Sequence, residues 1–379
     1  MSSHLMSLIA PARYVQGRDA IASLGDYVKQ IGERPLVLVD DVVWGFVGDA
    51  LTSSFQAAGL PTERMTFAGY CTAEQIDRIA ERVRATGSDV LVGVGGGSAI
   101  DAAKAAGHIA GIRWASVPTV ASTDAPCSAL SVVYTAEGAF EEYRFFPHNP
   151  DLVLVDSQIV ANAPVRMLVG GLGDALATWQ EARLVAEARA ATMAGALPTT
   201  SGTALAKLSW DMLHENALAA IDAVRHNIVT PALERVIEAN TLLSGVGFES
   251  GGLAAAHAIH NGLTAAPSTH GLTHGEKVNI GTLTQFVLEG APSSEIEDFI
   301  VFTTKVGLPN TLTEIGIAGD DVAGLRQVAE LATAEGETIH AMPFEVRVPD
   351  LVDALRSIEP LATRVRAEAG LAAPAPFGH

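Results

Sequence analysis

The chain has 379 residues, of which 43 are acidic and 24 are basic, so its formal net charge is −19. Binding to nucleic acid or to an anionic membrane needs a positive surface, and this balance argues against both. Small-molecule chemistry is the class of function that remains favoured. At roughly 150 residues per domain, the length suggests two or three domains, and we expect two.

The sequence shows no sign of secretion or of membrane insertion. Cys71 and Cys127 are too few for a disulfide framework and favour a reducing compartment, although counting alone allows one bridge. Residues 1–7 do not form a signal-peptide pattern, and no apolar run reaches the roughly 18 residues of a membrane span. We therefore expect a soluble, cytoplasmic protein with neither membrane nor nucleic-acid partners.

The first part of the chain alternates between predicted strands and helices. An apolar run from Pro35 ends at Asp40 and Asp41, as expected of a buried parallel strand with polar groups at its carboxyl edge. This alternation predicts an α/β domain over residues 1–162. Its other elements are helices over 46–58 and 72–86, strands over 60–67, 114–117 and 151–156, and a hairpin over 132–142.

A further strand from Asp89 runs into three glycines at 95–97 and then into an alanine-rich helix. Ser98 is suited to cap this helix, with Asp101 completing a pattern like a capping box. Glycines permit close backbone approach, and an open helix N-terminus attracts anions, so the segment is suited to a pyrophosphate. A plain tight turn is the alternative, because the triplet lacks the spacing of the dinucleotide fingerprint.

Small residues and hydroxyl groups dominate the next segment, 118–131, whose one carboxylate is Asp124. Loops at the carboxyl ends of strands are where ligands bind in open α/β sheets. The segment is therefore a candidate ligand loop, and an ordinary surface loop rich in turn formers is the alternative.

From Pro164 onwards the periodicity is helical, and proline fits the first turn of a helix. We assign residues 163–379 to an all-helical second domain. Its predicted helices span 164–189, 200–224, 231–246, 249–265, 274–289, 294–306, 319–334 and 349–368.

A group of histidines in this second domain indicates a metal site. His257 and His260 share a helix face, and His274 begins a later helix. Asp174 follows a glycine-rich stretch among apolar residues, where an unpaired carboxylate would be costly. With His257 and His274, it forms a set of ligands that leaves one coordination position open for substrate. His260 and His270 would then support the site or relay protons. Hydrogen-bonded core histidines and a helix-capping aspartate are the alternatives.

At these residues the chain resembles the glycerol dehydrogenase branch of the iron-containing alcohol dehydrogenases. The resemblance extends from about residue 12 to 345 and covers nearly the whole chain. Its most specific segments are PTVASTDAPCSALS at 118–131, GDALATW at 173–179, GFESGGLAAAHAIHN at 247–261 and HGEK at 274–277.

The resemblance implies a dehydroquinate synthase-like architecture, with an NAD-binding α/β domain, an all-α domain and a catalytic zinc in the cleft between them. It places the metal on Asp174, His257 and His274, and a substrate contact on Asp124. It also implies a homo-oligomer, with an octamer as one form, and iron is the alternative metal because aspartate with histidines accepts either. The implied cofactor contacts are Asp40, Gly96, Gly97, Ser98, Asp101, Thr119, Ser122, Ser128, Leu130 and Tyr134.

The implied activity is NAD-dependent oxidation of glycerol, or of a related vicinal diol, to dihydroxyacetone. Asp40 would accept a hydrogen bond from the adenosine ribose and repel a 2′-phosphate, which favours NAD over NADP. His270 or a water chain would carry the proton out. In place of Ser98 and Ala99, the branch usually has lysine and threonine, so cofactor binding should be modestly weaker or depend more on the helix dipole.

Three other functions remain open at this point. Another polyol or alcohol dehydrogenase fits the same scaffold, and so does a lyase or a phosphate-ester reductase. Anionic substrates would need several lysines or arginines in the cleft, whereas the motif loops offer mainly Lys277. A catalytically silent NAD-binding scaffold is the third alternative.

Overall fold

The computed structural model describes residues 4–374 and confirms the predicted fold class, an α/β part followed by a helical part. A parallel sheet of six strands and a separate antiparallel hairpin occupy residues 14–156. The strands are β1 Tyr14–Gly17, β2 Pro35–Val39, β3 Glu63–Thr66, β4 Val90–Gly95, β5 Arg113–Pro118, β6 Leu130–Tyr134, β7 Phe140–Phe145 and β8 Leu152–Asp156.

The sheet has the order β1-β8-β5-β4-β2-β3, and the hairpin pairs β6 with β7. From β2 the chain moves outward to β3 and then returns to β4 on the other side of β2. The strand order therefore reverses between β2 and β4, and such a switch point opens a crevice at the carboxyl edge. Both strands are buried along their whole length, as their continuous apolar runs predict.

Helices flank the sheet and form all of the regular structure among the described residues from 157 to 374. None of them is both long and apolar enough to cross a membrane. The helices are α1 Leu24–Val28, α2 Asp41–Ala57, α3 Ala73–Thr86, α4 Gly97–Ala110, α5 Ser157–Ala161, α6 Val165–Ala188, α7 Thr200–Arg225, α8 Pro231–Glu238, α9 Ser244–Gly251, α10 Ala255–Leu263, α11 His274–Leu288, α12 Ser293–Val306, α13 Val322–Ala332 and α14 Val348–Ala369.

Several features differ from the sequence-based expectations, and the short helices α1 and α5 are among those not expected. The edge strand β1 was not expected, because four half-buried residues are too few to show a period; it pairs with β8. The helix expected to end at 246 instead continues to Gly251 through a π-helical turn, and the break falls at Gly252. Gly252 has a φ of 103°, which a residue with a side chain rarely adopts.

Both ends of the chain lie partly outside the described residues, and residues 375–379 of the expected second domain are among those not described. Of the patternless segment 1–7, residues 1–3 lie outside the described residues, and Met6 forms an isolated bridge to Leu197. The boundary between residues 162 and 163 stays a prediction. The first long helix of the helical part begins close to it, at Val165.

Candidate active site

The carboxyl edge of the sheet at the switch point holds the first group of expected site residues. Val39 pairs with Val94, so Asp40 and the glycines that end β4 are neighbours. Asp40 Oδ1 accepts a hydrogen bond of 2.8 Å from the backbone N–H of Val43 and so caps α2. Its other oxygen lies 3.9 Å from the position that a Cβ on Gly95 would occupy. Asp40 is thus held at the place where open α/β sheets bind nucleotides.

The helix after the glycines begins without a side-chain cap. Gly96 is the N-cap residue and α4 starts at Gly97, so the prediction that Ser98 caps this helix is wrong. The helix starts two residues earlier than that prediction requires, where glycine avoids a close contact: a Cβ on Gly97 would lie 3.3 Å from Thr123 Oγ1. With no side chain at the cap, the first backbone N–H groups of α4 can bind an anion.

A buried ion pair joins this helix to the hairpin. Asp101 makes no capping contact; its Oδ1 lies 2.8 Å from Lys104 Nζ, and both side chains are buried. Lys104 also donates to Ser128 Oγ (3.0 Å), to the backbone oxygen of Ala125 (2.7 Å) and to that of Leu130. One ammonium group therefore ties α4 to the segment that carries two of the expected cofactor contacts.

A cavity extends from the start of α4 to the helical part. Ten expected site residues line it, namely Gly97, Ser98, Asp101, Asp124, Ser128, Leu130, Tyr134, His257, His270 and His274. Asp40, Gly96, Thr119, Ser122 and Asp174 are outside its lining, although the N–H of Thr119 donates to the Gly95 oxygen at the end of β4 (3.1 Å).

The expected metal ligands converge from three helices, α6, α10 and α11. Asp174 Oδ1 lies 3.3 Å from His257 Nε2 and 3.1 Å from His274 Nε2. One ligand atom from each residue falls within 4.8 Å of the others. A carboxylate oxygen and two imidazole nitrogens at this separation fit a zinc or iron ion and leave a coordination position open.

The charges at this cluster also suit a cation. Burial alone would raise the pKa of Asp174, but the imidazoles of His274 and His257 outweigh it and hold that pKa below its ordinary value. Burial would lower the pKa of His257, but Glu181 and Asp174 raise it well above the ordinary value. The carboxylates of Asp174 and Glu181 thus favour a positive charge at this buried cluster. A bound metal ion can supply that charge in place of a proton on His257.

Residues 11–157 match the family described as iron-containing alcohol dehydrogenase. The chain is 53% identical over 334 residues to a glycerol dehydrogenase of Escherichia coli O6:H1. The aligned residues cover 88% of this chain and 91% of that relative. The chain belongs to the iron-containing alcohol dehydrogenases. Membership of this family implies NAD and a metal ion.

Two further proteins are similar to this chain over nearly its whole length. A glycolaldehyde reductase of Halobacterium salinarum is 46% identical over 357 residues, covering 94% of this chain and 98% of that relative. The crystal structure of glycerol dehydrogenase from Schizosaccharomyces pombe has a TM-score of 0.95 and 36% identity, covering 99% of this chain and 95% of that one. The likeness therefore includes both parts of the fold.

In this iron-containing alcohol dehydrogenase, Asp124 is tied to the candidate metal cluster. Its backbone N–H donates to Asp174 Oδ2 (3.1 Å), and its Oδ2 accepts from Ser244 Oγ (2.6 Å). Burial and the nearby Asp174 raise the pKa of Asp124 well above its ordinary value. The loop 118–131 thus brings the Asp124 carboxylate to the side of the cavity where the candidate metal ligands lie.

The other two histidines lie beside the cluster. His260 is buried, and its ring centroid is 4.1 Å from that of His274, while its Nδ1 contacts Asn261 Oδ1 (3.1 Å). Burial, together with His274, lowers the pKa of His260 well below its ordinary value. His270 is exposed at the cavity, with Nε2 3.0 Å from the Thr264 oxygen.

Three residues that hold this site together were not predicted from the sequence: Glu181, Lys104 and Ser244. Glu181 Oε2 contacts His257 Nδ1 at 2.6 Å. Its spacing from Asp174 could have revealed it, because residues seven apart share a helix face. The i,i+3 spacing of Asp101 and Lys104 was a similar signal. Ser244 gave none, since its contact with Asp124 joins distant segments.

Proposed function

We propose that the protein is an NAD-dependent glycerol dehydrogenase, which oxidises glycerol or a related vicinal diol to dihydroxyacetone or the corresponding ketone. One observation carries this proposal: a single cavity is lined both by His257 and His274 and by Gly97 at the open start of α4. A metal ion and a dinucleotide could thus meet the same small substrate. The identity to the Escherichia coli glycerol dehydrogenase supports the choice of glycerol.

We propose zinc, held by Asp174, His257 and His274, as the metal of this site. The one oxygen and two nitrogen donors fit it, and iron would accept the same set. When bound, such an ion acts as a Lewis acid that lowers the pKa of a substrate hydroxyl. Asp174 and His257 are buried and His274 is half-buried, so solvent would have limited access to the ion.

The cofactor would lie along the carboxyl edge of the sheet. The free N–H groups at the start of α4 would bind its pyrophosphate, and Asp40 would accept from its adenosine ribose. Thr119 and Ser122 lie on the loop beside this edge, and Ser128, Leu130 and Tyr134 would border the nicotinamide. NAD supplies the chemistry of hydride acceptance at nicotinamide C4.

Asp124 and His270 would act on the substrate. A carboxylate has lone pairs for several donors, so Asp124 can accept from a substrate hydroxyl while Ser244 holds its Oδ2. As the substrate carbon loses its hydride, the hydroxyl proton must leave the cavity. His270 is exposed at the cavity and can pass that proton to solvent, directly or through water.

The charge of the cavity favours a neutral substrate over a phosphate ester. Among the described residues that line it, Lys277 is the one lysine, and arginine is absent. Burial lowers the pKa of Lys277 to about 8, so this ammonium group loses its proton, and with it its charge, more readily than an exposed lysine. Reduction of glycolaldehyde is a second candidate activity, supported by the Halobacterium salinarum relative.

A metal assay combined with a substrate screen tests these proposals. We expect one bound metal-ion equivalent per chain and NAD reduction with glycerol and propane-1,2-diol, exceeding that with ethanol or glycerol 1-phosphate. Glycolaldehyde with NADH tests the second activity. Activity confined to the phosphate ester, or none with any compound in a metal-loaded protein, would contradict the proposal. The homo-oligomer and the cytoplasmic location stay predictions, and light scattering tests the first.

A further inference from the structure

Helix α10, which carries His257, has a buried N-terminus whose backbone N–H groups donate to two side chains. Glu181 Oε1 accepts from the N–H groups of Ala254 (2.8 Å) and His257 (3.1 Å). Gln285 Oε1 accepts from the two residues between them, at 3.0 and 3.1 Å. Four consecutive N–H groups, which a helix start leaves without intrahelical partners, are thus bound by two side-chain oxygens.

Gln285 shows that a neutral amide is sufficient for this capping. Its other terminal atom, Nε2, donates to the backbone oxygen of Gln180 at 3.0 Å. The second terminal atom of Glu181, Oε2, contacts an imidazole instead of the backbone: it lies 2.6 Å from His257 Nδ1. A carboxylate oxygen can only accept there, so Nδ1 must carry a hydrogen. The neutral ring then has its lone pair on Nε2, the nitrogen that faces Asp174.

We propose that Glu181 is a positioning residue for the metal, whose carboxylate fixes the tautomer and the ring orientation of His257. This inference rests on the proposed metal site. Glu181 is fully buried on α6, the helix that also supplies Asp174, so a single helix sets both a ligand and the orientation of the next ligand. Such hydrogen-bond partners of metal-ligating histidines raise metal affinity by keeping the ligand nitrogen free of hydrogen.

Replacing the carboxylate by an amide tests this role closely, because Glu181→Gln keeps the size of the side chain. One oxygen cannot serve both sides of the residue. If it faces the backbone N–H groups, the NH₂ group faces His257 Nδ1 and drives the hydrogen to Nε2, which then cannot bind metal. If it faces Nδ1, the NH₂ group meets two backbone donors. The metal-binding tautomer is thus available only in the second orientation, which leaves two buried backbone N–H groups without an acceptor, so the variant should bind a metal ion more weakly.

The experiment measures Zn²⁺ affinity by chelator competition in three full-length proteins: wild type, Glu181→Gln and Gln285→Met. Gln285→Met is the matched control, since it removes caps from the same helix start without touching the imidazole. We expect Glu181→Gln to bind Zn²⁺ about 10- to 100-fold more weakly, and Gln285→Met to keep the wild-type affinity. Thermal unfolding of the metal-free proteins shows whether the two variants are comparably folded.

Each other outcome identifies the claim that fails. If Glu181→Gln binds Zn²⁺ as tightly as wild type, or both variants lose affinity equally, Glu181 is only a cap and the inference is overturned. If wild type itself binds no metal, the proposed site fails. Should Glu181→Gln not fold, Glu181→Asp replaces it, because its shorter side chain cannot reach both the backbone and Nδ1. Equal Zn²⁺ affinities of Glu181→Asp and Gln285→Met would then overturn the inference.

Discussion

Asp174 and Glu181, two turns apart on α6, contact opposite nitrogens of the His257 ring. Asp174 Oδ1 lies 3.3 Å from Nε2, and Glu181 Oε2 lies 2.6 Å from Nδ1. A buried imidazole needs a partner at each nitrogen, and here both partners come from one helix. The orientation of the His257 ring is therefore set mainly by α6. A mutation that displaces α6 should weaken metal binding.

The close contact between α6 and α11 offers a test of that packing. A Cβ on Gly275 would lie 1.7 Å from the backbone oxygen of Gly170, so Gly275→Ala must push the helices apart. His274 is the neighbouring residue, and we expect both a lower unfolding temperature and weaker Zn²⁺ binding. The control is Gly45→Ala in α2, where a Cβ meets no atom within 4 Å. That variant should be slightly more stable and bind Zn²⁺ normally; normal Zn²⁺ binding by Gly275→Ala would contradict the account.

Asp101 and Lys104 form a buried ion pair, and removal of either partner should destabilise the fold strongly. Lys104→Met leaves the Asp101 carboxylate buried without its cation, which typically costs about 3–5 kcal/mol in the free energy of unfolding. NAD affinity should fall as well, because Lys104 holds Ser128. Chemical denaturation and NAD titration measure the two effects. The double variant Asp101→Asn/Lys104→Met should lose less stability than the sum of the single changes, and strict additivity would show that the pair is not coupled.

The carboxylate of Asp40 should decide between NAD and NADP. Asp40→Ser removes the negative charge but keeps a side chain that can cap α2. We expect kcat/KM with NAD to fall and kcat/KM with NADP to rise, because a 2′-phosphate is no longer repelled. Asp41→Asn is the matched control, since that neighbouring carboxylate pairs with Arg64 on the exposed surface. An unchanged ratio in Asp40→Ser would place the ribose elsewhere.

Glu249 should make stability depend on pH near neutrality. Burial raises its pKa from 4.5 to about 7, so the folded state holds a proton that the unfolded state has lost. Its contribution is complete below about pH 4.5 and is lost as the pH rises through about 7, a change of at most about 3 kcal/mol. Glu249→Gln should flatten this part of the curve of unfolding free energy against pH. Parallel curves for the two proteins would contradict the raised pKa.

The fold was largely predictable because its signals are local. The apolar runs of β2 and β4 and the helical periodicity after Pro164 each lie within one segment of the sequence. The short strand β1 and the helix break at Gly252 were missed, because the first depends on pairing with β8 and the second on one backbone conformation.

The candidate site was predictable only in part. Asp174, His257 and His274 could be selected because ligand chemistry and resemblance agree on them. The capping role expected of Ser98 was wrong, since glycine lets α4 begin at Gly97. Contacts such as that of Ser244 with Asp124 join residues 120 positions apart, and no periodicity in the sequence records them.

The central claim is that Asp174, His257 and His274 hold a metal ion required for glycerol oxidation. The most direct measurement determines metal content and glycerol-dependent NAD reduction together in wild type, His274→Ala and the surface control His226→Ala. We expect His274→Ala to lose metal and turnover together while remaining folded, and His226→Ala to keep both. A His274→Ala protein that contains no metal yet oxidises glycerol at the wild-type rate would contradict it.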